Sequence, residues 1–489
     1  MKKIKFFLFI LIFIVLLLPV LQKIYPIIKL NQLGGAFTPM EKPVFSTADW
    51  FSEKYQQQYN KYLEENIGFR EFFVRLHNTI EFYIYNKANA EGTIVGKKGY
   101  LFEEDYILEY IGRHFIGKNT INKKLERIKF LQQELKSKKN IDLVVVFEPG
   151  KASFYPEYIP DAYNPQQKTI SNYDYYTQRC NELGIKYIDF NRYFKSLKKT
   201  SKYPLFPKYG IHWSEYGAIL ASDSLIKYIE KTRNIDLPEM NWSKIEISRK
   251  FRGIDYDMGN ALNLLWELPH SPMAYPEVKF INKPHQTKPS VLVIGDSFYF
   301  SIMGYKIPDN VFNNASLWYY NSKIYPDSYF SPKTVEQINL KEEVEKRDVV
   351  FLMITERFLY TAFWDFSDNL YKLYCPNYKE DLIYDYENGI RLYTVWFKNM
   401  VKQAKTNNRS LEEEIKGNAE YTFTEKYNKT TQHTKAEWMT YYKLQIINDQ
   451  SKKEQLEQQA KKLKISLDEV LNKELEKKYN EEVLAKNKK

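Results

Sequence analysis

The hydrophobic pattern divides the chain into three parts, of which the first is an uncharged run near the N-terminus. Residues 6–21 carry no charge and are interrupted only by Pro19. As a helix, these 16 residues span about 24 Å, slightly less than the ~30 Å hydrocarbon layer of a bilayer. Lys2, Lys3 and Lys5 precede the run, a combination typical of both cleaved signal peptides and uncleaved signal anchors.

The residues that follow this run favour the anchor. Signal peptidase needs small residues at its cleavage site, and none occurs after Leu21 until Gly34. No Cys follows the run, which excludes a lipoprotein. We therefore predict a transmembrane signal anchor over residues 1–28, with a cleaved signal peptide as the alternative. The positive-inside rule keeps the N-terminal lysines in the cytoplasm, which predicts a single-pass inner-membrane protein whose main domain is periplasmic.

The second part follows a polar linker predicted at residues 29–45, which contains Gly34, Gly35, Pro39 and Pro43. Aromatic residues then recur every three to four positions over residues 46–87 and predict helices. Further on, helical patterns at 121–138, 168–183 and 213–229 alternate with apolar, strand-like runs at 141–147, 185–190, 291–294 and 349–354. This alternation predicts an α/β domain with a mostly parallel sheet, flanked by helices, over residues 46–390.

The third part, residues 391–489, lacks strand-like runs and predicts a helical appendage. Ser410 and Glu413, and again Ser466 and Glu469, have the spacing of capping boxes. One apolar stripe comprises Leu456, Ala460, Leu463, Leu467, Leu471, Leu475 and Tyr479. We expect these helices to pack on the main domain with solvated outer faces; the alternative is a helix that binds a partner or a second copy.

Composition narrows the chemistry without defining it. The chain has 489 residues, a net charge of +11, and 41 Tyr, 31 Phe and 8 Trp. Its two cysteines, Cys180 and Cys375, exclude a disulfide-rich scaffold and a zinc site built from cysteines, but leave a single disulfide open. We predict no metal and no cofactor. The positive charge is accompanied by no nucleic-acid-binding motif, and export argues against such a partner.

The most informative segment for chemistry is an apolar strand that runs into Gly295-Asp296-Ser297. Ligand clefts of open α/β sheets form at the carboxyl ends of strands, which favours Ser297 as a nucleophile and Gly295 as a point of close approach to substrate. A turn that only caps the next helix is the simpler alternative. A serine nucleophile needs a base, and of the six histidines only His212 lies in a loop that opens a helix.

Around these residues the sequence resembles the alginate O-acetyltransferase AlgJ/AlgX-like family of the SGNH hydrolase-like superfamily, in which the His block precedes the Ser block. The segments that carry the resemblance are Asn66-Ile67-Gly68-Phe69-Arg70, Val95-Gly96-Lys97-Lys98-Gly99-Tyr100-Leu101-Phe102, Phe147-Glu148-Pro149-Gly150-Lys151, Tyr155-Pro156-Glu157, His212-Trp213-Ser214, Gly295-Asp296-Ser297-Phe298 and Thr355-Glu356-Arg357. Together they span about residues 45–365. The resemblance implies an SGNH-like fold and O-acetyl transfer to an exported polysaccharide, with a multipass membrane O-acyltransferase as the partner that supplies acetyl groups.

One position departs from the family pattern. The family carries Asp two residues before the His, as Asp-x-His-Trp, whereas this chain has Gly210. Such an Asp orients the imidazole and stabilises imidazolium. Three explanations remain open: another acid replaces it, a backbone carbonyl orients the ring of a Ser–His dyad, or catalysis is lost and the domain only binds glycan. The candidates for a replacement acid are Glu148, Asp257 and Glu356.

The remaining candidates complete a hypothetical site for acyl transfer. The oxyanion is assigned to the Ser297 backbone N–H, close to Gly295, and to an Asn-rich loop that follows the Ser block, with Asn313, Asn314 and Asn321 as candidates. The candidates for glycan contacts are Trp213, Trp318, Tyr319, Tyr320 and Arg357. We expect O-acetyltransferase activity on an exported or cell-surface polysaccharide; an acetylesterase and a non-catalytic glycan-binding subunit are the alternatives.

Overall fold

A computed structural model of the protein describes residues 2–35, 40–282, 284–327 and 331–484. Within the predicted linker, Pro39 lies outside the described residues. The chain divides into two compact units. The first comprises Met1–Ile107, Lys151–Pro165 and Arg192–Gln286, and the second comprises Leu108–Gly150, Gln166–Asn191 and Thr287–Lys489.

The helices and strands follow in chain order. The helices are α1 Lys2–Ile24, α2 Thr47–Phe51, α3 Lys54–Asn66, α4 Arg70–Tyr85, α5 Glu104–Tyr110, α6 Lys118–Lys139, α7 Lys151–Phe154, α8 Asn172–Leu183, α9 Phe190–Leu197, α10 Glu215–Arg233, α11 Asp257–Ala261, α12 Tyr299–Gly304, α13 Ile307–Val311, α14 Leu340–Glu345, α15 Phe366–Tyr374, α16 Leu382–Leu392, α17 Thr394–Asn407, α18 Leu411–Lys429, α19 Lys435–Asn448, α20 Gln450–Leu463 and α21 Leu467–Tyr479. The strands are β1 Thr93–Val95, β2 Leu101–Glu103, β3 Asp142–Glu148, β4 Tyr187–Asp189, β5 Glu239–Ser248, β6 Met273–Ile281, β7 Ser290–Gly295, β8 Asn313–Tyr319, β9 Lys323–Tyr325 and β10 Val349–Thr355.

The second unit is built on a six-stranded sheet in the order β4-β3-β10-β7-β8-β9. All neighbouring pairs are parallel except β8 with the edge strand β9. Strands β3 and β10 are buried along their whole length, as expected for central parallel strands covered on both faces. The core continues into α6, α8 and α15, which confirms the predicted α/β architecture with a mostly parallel sheet flanked by helices.

The predicted strands are found within one or two residues of their expected limits. Apolar runs such as residues 291–294 have no polar side chain to place in solvent, so the whole run is buried. Strand β8 is a correction. The sequence analysis places residues 313–321 in a loop, but Asn313–Tyr319 pairs with β7 along its length. The antiparallel pair β5–β6 of the first unit is also absent from the sequence-based assignment. Strand β5 is largely exposed and lacks a continuous apolar run, and in β6 only residues 273–276 are buried in succession.

The N-terminal helix α1 is the one helix among the described residues that is long and apolar enough to cross a membrane. Within its 22-residue span, Lys3–Ile24, an 18-residue window has a mean hydropathy of 3.0. Pro19 lies inside the helix without ending it. Length and composition are therefore consistent with the predicted anchor, although a signal sequence has the same properties.

The C-terminal region is helical, as predicted, and both capping boxes are present. Ser410 and Ser466 each accept a hydrogen bond from the backbone N–H three residues on, and the Glu side chains accept in return from the capping N–H groups. Helices α19, α20 and α21 share a small core that includes Trp438, Leu471 and Leu475. Leu463 does not belong to the buried stripe and is about half exposed. Cys180 is buried and Cys375 half-buried, both as free thiols.

Candidate active site

In the second unit, the carboxyl ends of the parallel strands gather the polar residues that the sequence analysis singled out. Glu148 ends β3, Asp296 and Ser297 follow β7, Tyr320 follows β8, and Glu356 follows β10. Because these strands are parallel, their carboxyl ends lie at one edge of the sheet. This is the edge at which open α/β sheets bind ligands, and we call it the carboxyl edge.

Asp296 fixes the turn that presents Ser297. Its Oδ1 accepts the Phe298 N–H at 3.1 Å, while its Oδ2 accepts the Thr355 N–H at 3.0 Å and the Thr355 hydroxyl at 2.8 Å. The first bond closes the turn after β7, and the other two tie that turn to the end of β10. Ser297 itself is half-buried, and its side chain is hydrogen-bonded to Tyr320.

A second carboxyl group lies against Asp296. Glu148 is fully buried, and neither of its carboxyl oxygens has a hydrogen-bond partner among the described residues. Burial, and then the charge of Asp296, raise the pKa of Glu148 well above its usual range, and burial also raises the pKa of Asp296. Two buried carboxyls whose charges interact cannot both ionise cheaply, which favours a neutral form for one of them. Asp296 accepts three hydrogen bonds and Glu148 accepts none, so the neutral carboxyl is assigned to Glu148.

The oxyanion candidates on β8 are wrong, for a topological reason. Residues 313 and 314 begin β8, and Asn313 is paired with Ser290 at the start of β7, whereas Gly295 is paired with Tyr319. At ~3.3 Å per residue, Asn313 and Asn314 are therefore about 16 Å or more from the carboxyl edge. Asn321 lies at the correct end, but its side-chain NH₂ donates to the Trp364 carbonyl at 2.9 Å.

Gly295 has a packing role that the sequence analysis did not foresee. A Cβ at this position would lie 3.3 Å from Val293 Cγ1 and 3.5 Å from both Leu317 Cδ1 and Met353 Cβ. Gly295 is buried inside the sheet, and its carbonyl accepts the Tyr320 N–H at 2.9 Å. A side chain here would crowd β7 against its neighbours, which favours glycine for packing.

His212 belongs to the first unit, in the loop that precedes α10. Two neighbours hold this loop. Trp213 is fully buried and stacks on Phe194, with 6.0 Å between ring centroids. Ser214 caps α10 by accepting the Gly217 N–H at 3.0 Å, and it donates its hydroxyl to the Pro204 carbonyl at 2.7 Å. The His212 side chain, 13% exposed, is thereby held beside the protein surface.

Asp257, of the three proposed acids, is the one that contacts this histidine. Its Oδ2 lies 2.8 Å from His212 Nδ1. The other oxygen accepts the Ile211 N–H at 2.9 Å and the Met258 N–H at 2.6 Å. A carboxylate fixed in this way makes Nδ1 the protonated nitrogen and leaves Nε2 as the basic one. Glu148 contacts Asp296 instead, and Glu356 interacts with the buried Glu109 in the second unit.

Gly210 explains why the carboxylate comes from elsewhere in the chain. A Cβ at position 210 would lie 2.4 Å from the Ile254 carbonyl oxygen and 2.7 Å from Pro207 Cγ. The segment that leads to Asp257 thus occupies the space that a side chain at 210 would need. The same segment brings the Asp257 carboxylate to His212, at the ring nitrogen where the family pattern expects an Asp.

Lys151 holds the His212 loop by hydrogen bonds to two backbone carbonyls. Its fully buried Nζ donates to the Gly210 carbonyl at 2.7 Å and to the Lys208 carbonyl at 2.9 Å. Burial lowers the pKa of Lys151 to about 7, while the nearby Asp257 carboxylate partly offsets that effect. Motif resemblance had included Lys151 without a role; the structure makes it the support of the His212 loop.

Several residues proposed for glycan contacts are corrected by their burial. Trp213 and Trp318 are 0% and 1% exposed, so neither presents a ring face to a sugar, and both belong to the core. Tyr319 and Tyr320 are half-buried and stack on each other at 4.0 Å. Arg357 is half-buried near the carboxyl edge, where burial lowers its pKa to about 10.

Comparisons with known proteins match part of the chain to a family. Residues 93–299 match the family described as "SGNH hydrolase-like domain, acetyltransferase AlgX". No curated protein sequence matches the chain. Among solved structures, the O-acetyltransferase domain of Pseudomonas putida AlgJ is 14% identical (57% of this chain, 99% of that chain, TM-score 0.37). Pseudomonas aeruginosa AlgX is 15% identical (57% and 66%, TM-score 0.36), and Bacillus cereus PatB1 is 14% identical (49% and 90%, TM-score 0.32).

The matched region contains the complete His212–Asp257 pair and ends just after Ser297. It therefore includes both candidate motifs in the order that the family carries them, His block first. Residues 93–299 of this chain are therefore similar to the SGNH hydrolase-like domain of the AlgX acetyltransferase family.

Proposed function

We propose that this protein is a membrane-anchored O-acetyltransferase that transfers an acetyl group to hydroxyls of an exported or cell-surface polysaccharide. The observation that carries the proposal is the His212–Asp257 hydrogen bond of 2.8 Å within the region that matches an acetyltransferase family. A histidine oriented by a carboxylate is the base that a serine nucleophile requires. The missing Asp at position 210 was the reason to consider a non-catalytic domain, and Asp257 removes that reason.

The first half-reaction forms an acetyl-serine. His212 Nε2 takes the proton of the Ser297 hydroxyl while Ser297 Oγ attacks the carbonyl carbon of an acetyl ester donor. The tetrahedral intermediate collapses, the C–O bond to the donor breaks, and the leaving oxygen takes the proton from the imidazolium. Asp257 stabilises the imidazolium in between. The Ser297 backbone N–H, at the carboxyl edge, is the proposed oxyanion donor.

The second half-reaction repeats these steps with a glycan hydroxyl. His212 takes the proton of the glycan hydroxyl while the glycan oxygen attacks the acetyl carbonyl carbon. The bond from that carbon to Ser297 Oγ then breaks, and Ser297 Oγ regains the proton from His212. Neither half-reaction needs a metal or an electron carrier. Water in place of the glycan would give an acetylesterase, so the acceptor and not the serine chemistry distinguishes the two enzymes.

The N-terminal helix supports a membrane location for the protein. Helix α1 begins with Lys2, Lys3 and Lys5, so we propose a single pass through the inner membrane with both units on the periplasmic side. An acetyl donor on that side must be delivered across the membrane. We propose that a multipass membrane O-acyltransferase supplies it, as the partner of this chain in exopolysaccharide biosynthesis.

Acetylation of Ser297 is the direct test of the serine chemistry. The full-length protein is incubated with p-nitrophenyl acetate, and peptides are analysed by mass spectrometry for an acetyl group on Ser297. We expect acetyl-Ser297 in the unchanged protein, none in Ser297→Ala, and a loss of at least roughly 100-fold in its rate of formation in His212→Ala. His433→Ala, in the helical tail, is the matched control. An unmodified Ser297 with every donor ester would contradict the proposal.

The acceptor test separates transferase from esterase. Acetate release from the same donor is measured with and without a polysaccharide acceptor. A transferase acetylates the glycan and releases less acetate in its presence, whereas an esterase releases acetate at the same rate in both conditions. Retention of full glycan acetylation in cells that carry Ser297→Ala would exclude the transferase.

A further inference from the structure

Helix α4 of the first unit turns its apolar side to solvent. Large hydrophobic residues recur on it at the spacing of one helix face, and together we call them the α4 stripe: Phe72, Phe73, Leu76, Ile80, Tyr83 and Ile84. Leu76 is half-buried, and the other five are 41–68% exposed. A surface helix normally buries such a face against the core. The stripe is therefore an apolar surface that the described part of the first unit leaves uncovered.

The buried residues of α4 are polar, namely Asn78 and Thr79. Asn78 Nδ2 donates to the Leu262 carbonyl at 2.8 Å, and the Thr79 hydroxyl oxygen accepts the Leu265 N–H at 3.0 Å. These hydrogen bonds attach α4 to the rest of the first unit through its polar side. The stripe is thus free to contact something else.

Neighbouring residues add to the exposed apolar surface. Trp266 is 56% exposed, its ring lies 5.8 Å from that of Tyr83, and its indole N–H donates to the Tyr83 hydroxyl at 3.1 Å. Phe51 on α2 and Leu63 on α3 are exposed as well. Exposed apolar surface of this extent marks a site that associates with a protein or a membrane. Trp and Tyr are the residues that bilayer interfaces favour, because the ring is apolar and the tip is polar.

The start of α4 packs against the C-terminal end of α1. A Cβ at Gly68, two residues before α4, would lie 2.1 Å from the Pro19 carbonyl oxygen and 2.9 Å from the Lys23 backbone nitrogen. Lys23 Nζ also donates to Asn66 Oδ1 at 3.3 Å. In the proposed anchored protein, α4 therefore begins where the chain leaves the membrane.

The segment that leaves α1 is held by hydrogen bonds. Gln22 Oε1 accepts the N–H groups of Ile27 and Ile28, both at 3.2 Å. Arg75, on α4 itself, donates to the Gln32 carbonyl at 2.8 Å. Packing and these bonds, and not a loose tether, set the distance between α4 and the end of α1.

We propose that α4 is an interfacial helix whose stripe inserts among the lipids around α1, with the helix axis along the bilayer surface. The inference rests on the membrane anchor of the proposed function and adds a second membrane contact to it. Helix α4 has 16 residues, about 24 Å, and carries two Arg and two Glu. The contact is therefore apolar and does not depend on a charged lipid, although amphipathic character is what seats a helix at the interface.

A protein is the other class of partner that an apolar helix face fits, and the position of the stripe favours lipid. The first residue of the stripe, Phe72, is four residues after Gly68 and hence about one helical turn from the contact with α1. The covalent chain keeps the stripe beside the bilayer, so lipid meets it at a high effective concentration without a second protein.

Docking of α4 also bears on the proposed general base. Leu262, which accepts the hydrogen bond from Asn78, follows directly on α11, and α11 begins with Asp257. Asp257 in turn contacts His212. A docked α4 would hold this segment at a fixed distance from the membrane across which the acetyl donor is proposed to arrive.

The direct test measures how deeply a nitroxide at position 80 lies in lipid. Ile80→Cys and a control, Leu463→Cys on the helical tail, are made in full-length Cys375→Ser protein, since Cys180 is buried. In phosphatidylcholine vesicles, collisions with oxygen, which dissolves in lipid, and with a water-soluble nickel chelate are compared by electron paramagnetic resonance. We expect the label at 80 to collide mainly with oxygen and the label at 463 mainly with the nickel chelate.

A second test separates the stripe from the anchor. In full-length protein with Ile12→Arg and Leu16→Arg, insertion of α1 is blocked, and flotation with phosphatidylcholine vesicles reports the remaining membrane contact. Adding Ile80→Asp and Ile84→Asp should weaken vesicle binding about 10-fold or more, because two exposed side chains no longer leave water.

Matched variants exclude a loss of the fold as the cause. Tyr421→Asp combined with Leu463→Asp places two charges at exposed positions of the tail and should leave vesicle binding unchanged. Ile80→Leu combined with Ile84→Leu keeps the stripe apolar and should bind as before. Equal midpoints of urea denaturation for all three pairs show that the protein is folded.

Three results would overturn the inference: equal access of the nickel chelate to positions 80 and 463, vesicle binding unchanged by the two Asp substitutions, or protection of position 80 in native membranes but not in vesicles of lipid alone. The last result assigns the stripe to a membrane protein. Failure of the proposed function is distinguishable from these. A lipid-embedded label without acetyl-Ser297 contradicts the acetyltransferase and leaves the interfacial helix in place, and acetyl-Ser297 with a water-exposed label does the reverse.

Discussion

The Asp257 carboxylate lies 2.8 Å from His212 Nδ1, although 45 residues separate the two in sequence. The other carboxylate oxygen is held by two backbone N–H groups, so the hydrogen bond is fixed from both sides. This contact defines the tautomer of His212 and is the basis of the first prediction.

Asp257→Asn should keep the fold and lose activity. An Asn side chain retains one oxygen for the Ile211 and Met258 N–H groups but directs an NH₂ at Nδ1, which forces the wrong tautomer. In the Ser–His–Asp triad this change costs on the order of 10⁴-fold in kcat, and we expect a comparable loss in acetyl-Ser297 formation. Asp236→Asn, at an exposed position of the same unit, is the control. An unchanged rate in Asp257→Asn would show that the carboxylate does not orient the base.

Gly210→Asp should not restore the family pattern. A side chain at position 210 meets the Ile254 carbonyl at 2.4 Å, so the substitution forces the backbone apart and we expect a loss of about 1–3 kcal/mol in the free energy of unfolding. Urea denaturation measures this directly. In combination with Asp257→Asn it should give no recovery of activity; recovery would mean that the 254–257 segment moves aside and the local Asp takes over.

Replacement of Glu148 separates a neutral from a charged role. Burial raises the pKa of Glu148, so we expect its carboxyl to be neutral, and the neutral amide of Glu148→Gln should keep acetyl-Ser297 formation within about 5-fold of the unchanged protein. Glu148→Ala removes most of a fully buried side chain, and the free energy of unfolding should fall by about 1–3 kcal/mol. Equal damage by the Gln and Ala substitutions would contradict a neutral Glu148.

The same pair predicts a pH dependence of stability. The folded-state pKa of Glu148 is raised, so its contribution is fully present below the unfolded-state pKa of about 4.3 and is lost as the pH rises towards the folded-state pKa. Between these two pKa values, each unit of pH increase lowers the free energy of unfolding by up to about 1.4 kcal/mol. Glu148→Gln should flatten the profile measured by urea unfolding above about pH 5. Glu109→Gln is a comparison, because burial raises the pKa of Glu109 to about 8 and its slope should end there.

Lys151→Met should loosen the His212 loop. The Met side chain fills the space of the lysine's apolar stem, but the Lys208 and Gly210 carbonyls lose their buried donor. This loss lowers the free energy of unfolding by about 1–3 kcal/mol. The pKa of Lys151 is lowered to about 7, so its burial costs no stability above pH ~10.4 and progressively more as the pH falls towards 7. The variant should therefore lose most relative to the unchanged protein at alkaline pH. A loss that is the same from about pH 7 to 10 would contradict the shift.

The role of α1 as an anchor is testable in the full chain. Ile12→Arg combined with Leu16→Arg places two charges in its centre, each of which costs about 2.5–3.5 kcal/mol on insertion. The variant should be extracted from membranes by alkaline carbonate, whereas the unchanged protein and an Ile12→Leu control should stay. Extraction of the unchanged protein would contradict the anchor.

The elements that the sequence predicted well are those whose signal is local. Strands β3 and β10 are nearly continuous apolar runs, which central strands bury on both faces. The capping boxes at Ser410 and Ser466 are defined by residues three positions apart. The prominence of Ser297 and His212 also came from local context, a strand end and a loop that opens a helix. Whether they act as proposed is left to the acylation experiments.

The elements that it missed depend on partners distant in the chain. Asn313 and Asn314 look like loop residues, but β7 provides the hydrogen bonds that make them the start of a strand, at the wrong end for an oxyanion site. Trp213 and Trp318 are large aromatic residues next to the candidate motifs, yet neighbouring side chains cover them completely. Polarity and ring size alone do not reveal such burial.

The sequence by itself determined the order of the two motif blocks, the α/β alternation, the apolar N-terminal helix and the helical tail, because each follows from local order and from periodicities of about two to four residues. Only the tertiary structure decided which acid serves His212. The space beside Gly210 is filled by the Ile254 carbonyl, and the chain that fills it delivers Asp257. That outcome depends on close packing between segments far apart in sequence, which no local pattern encodes.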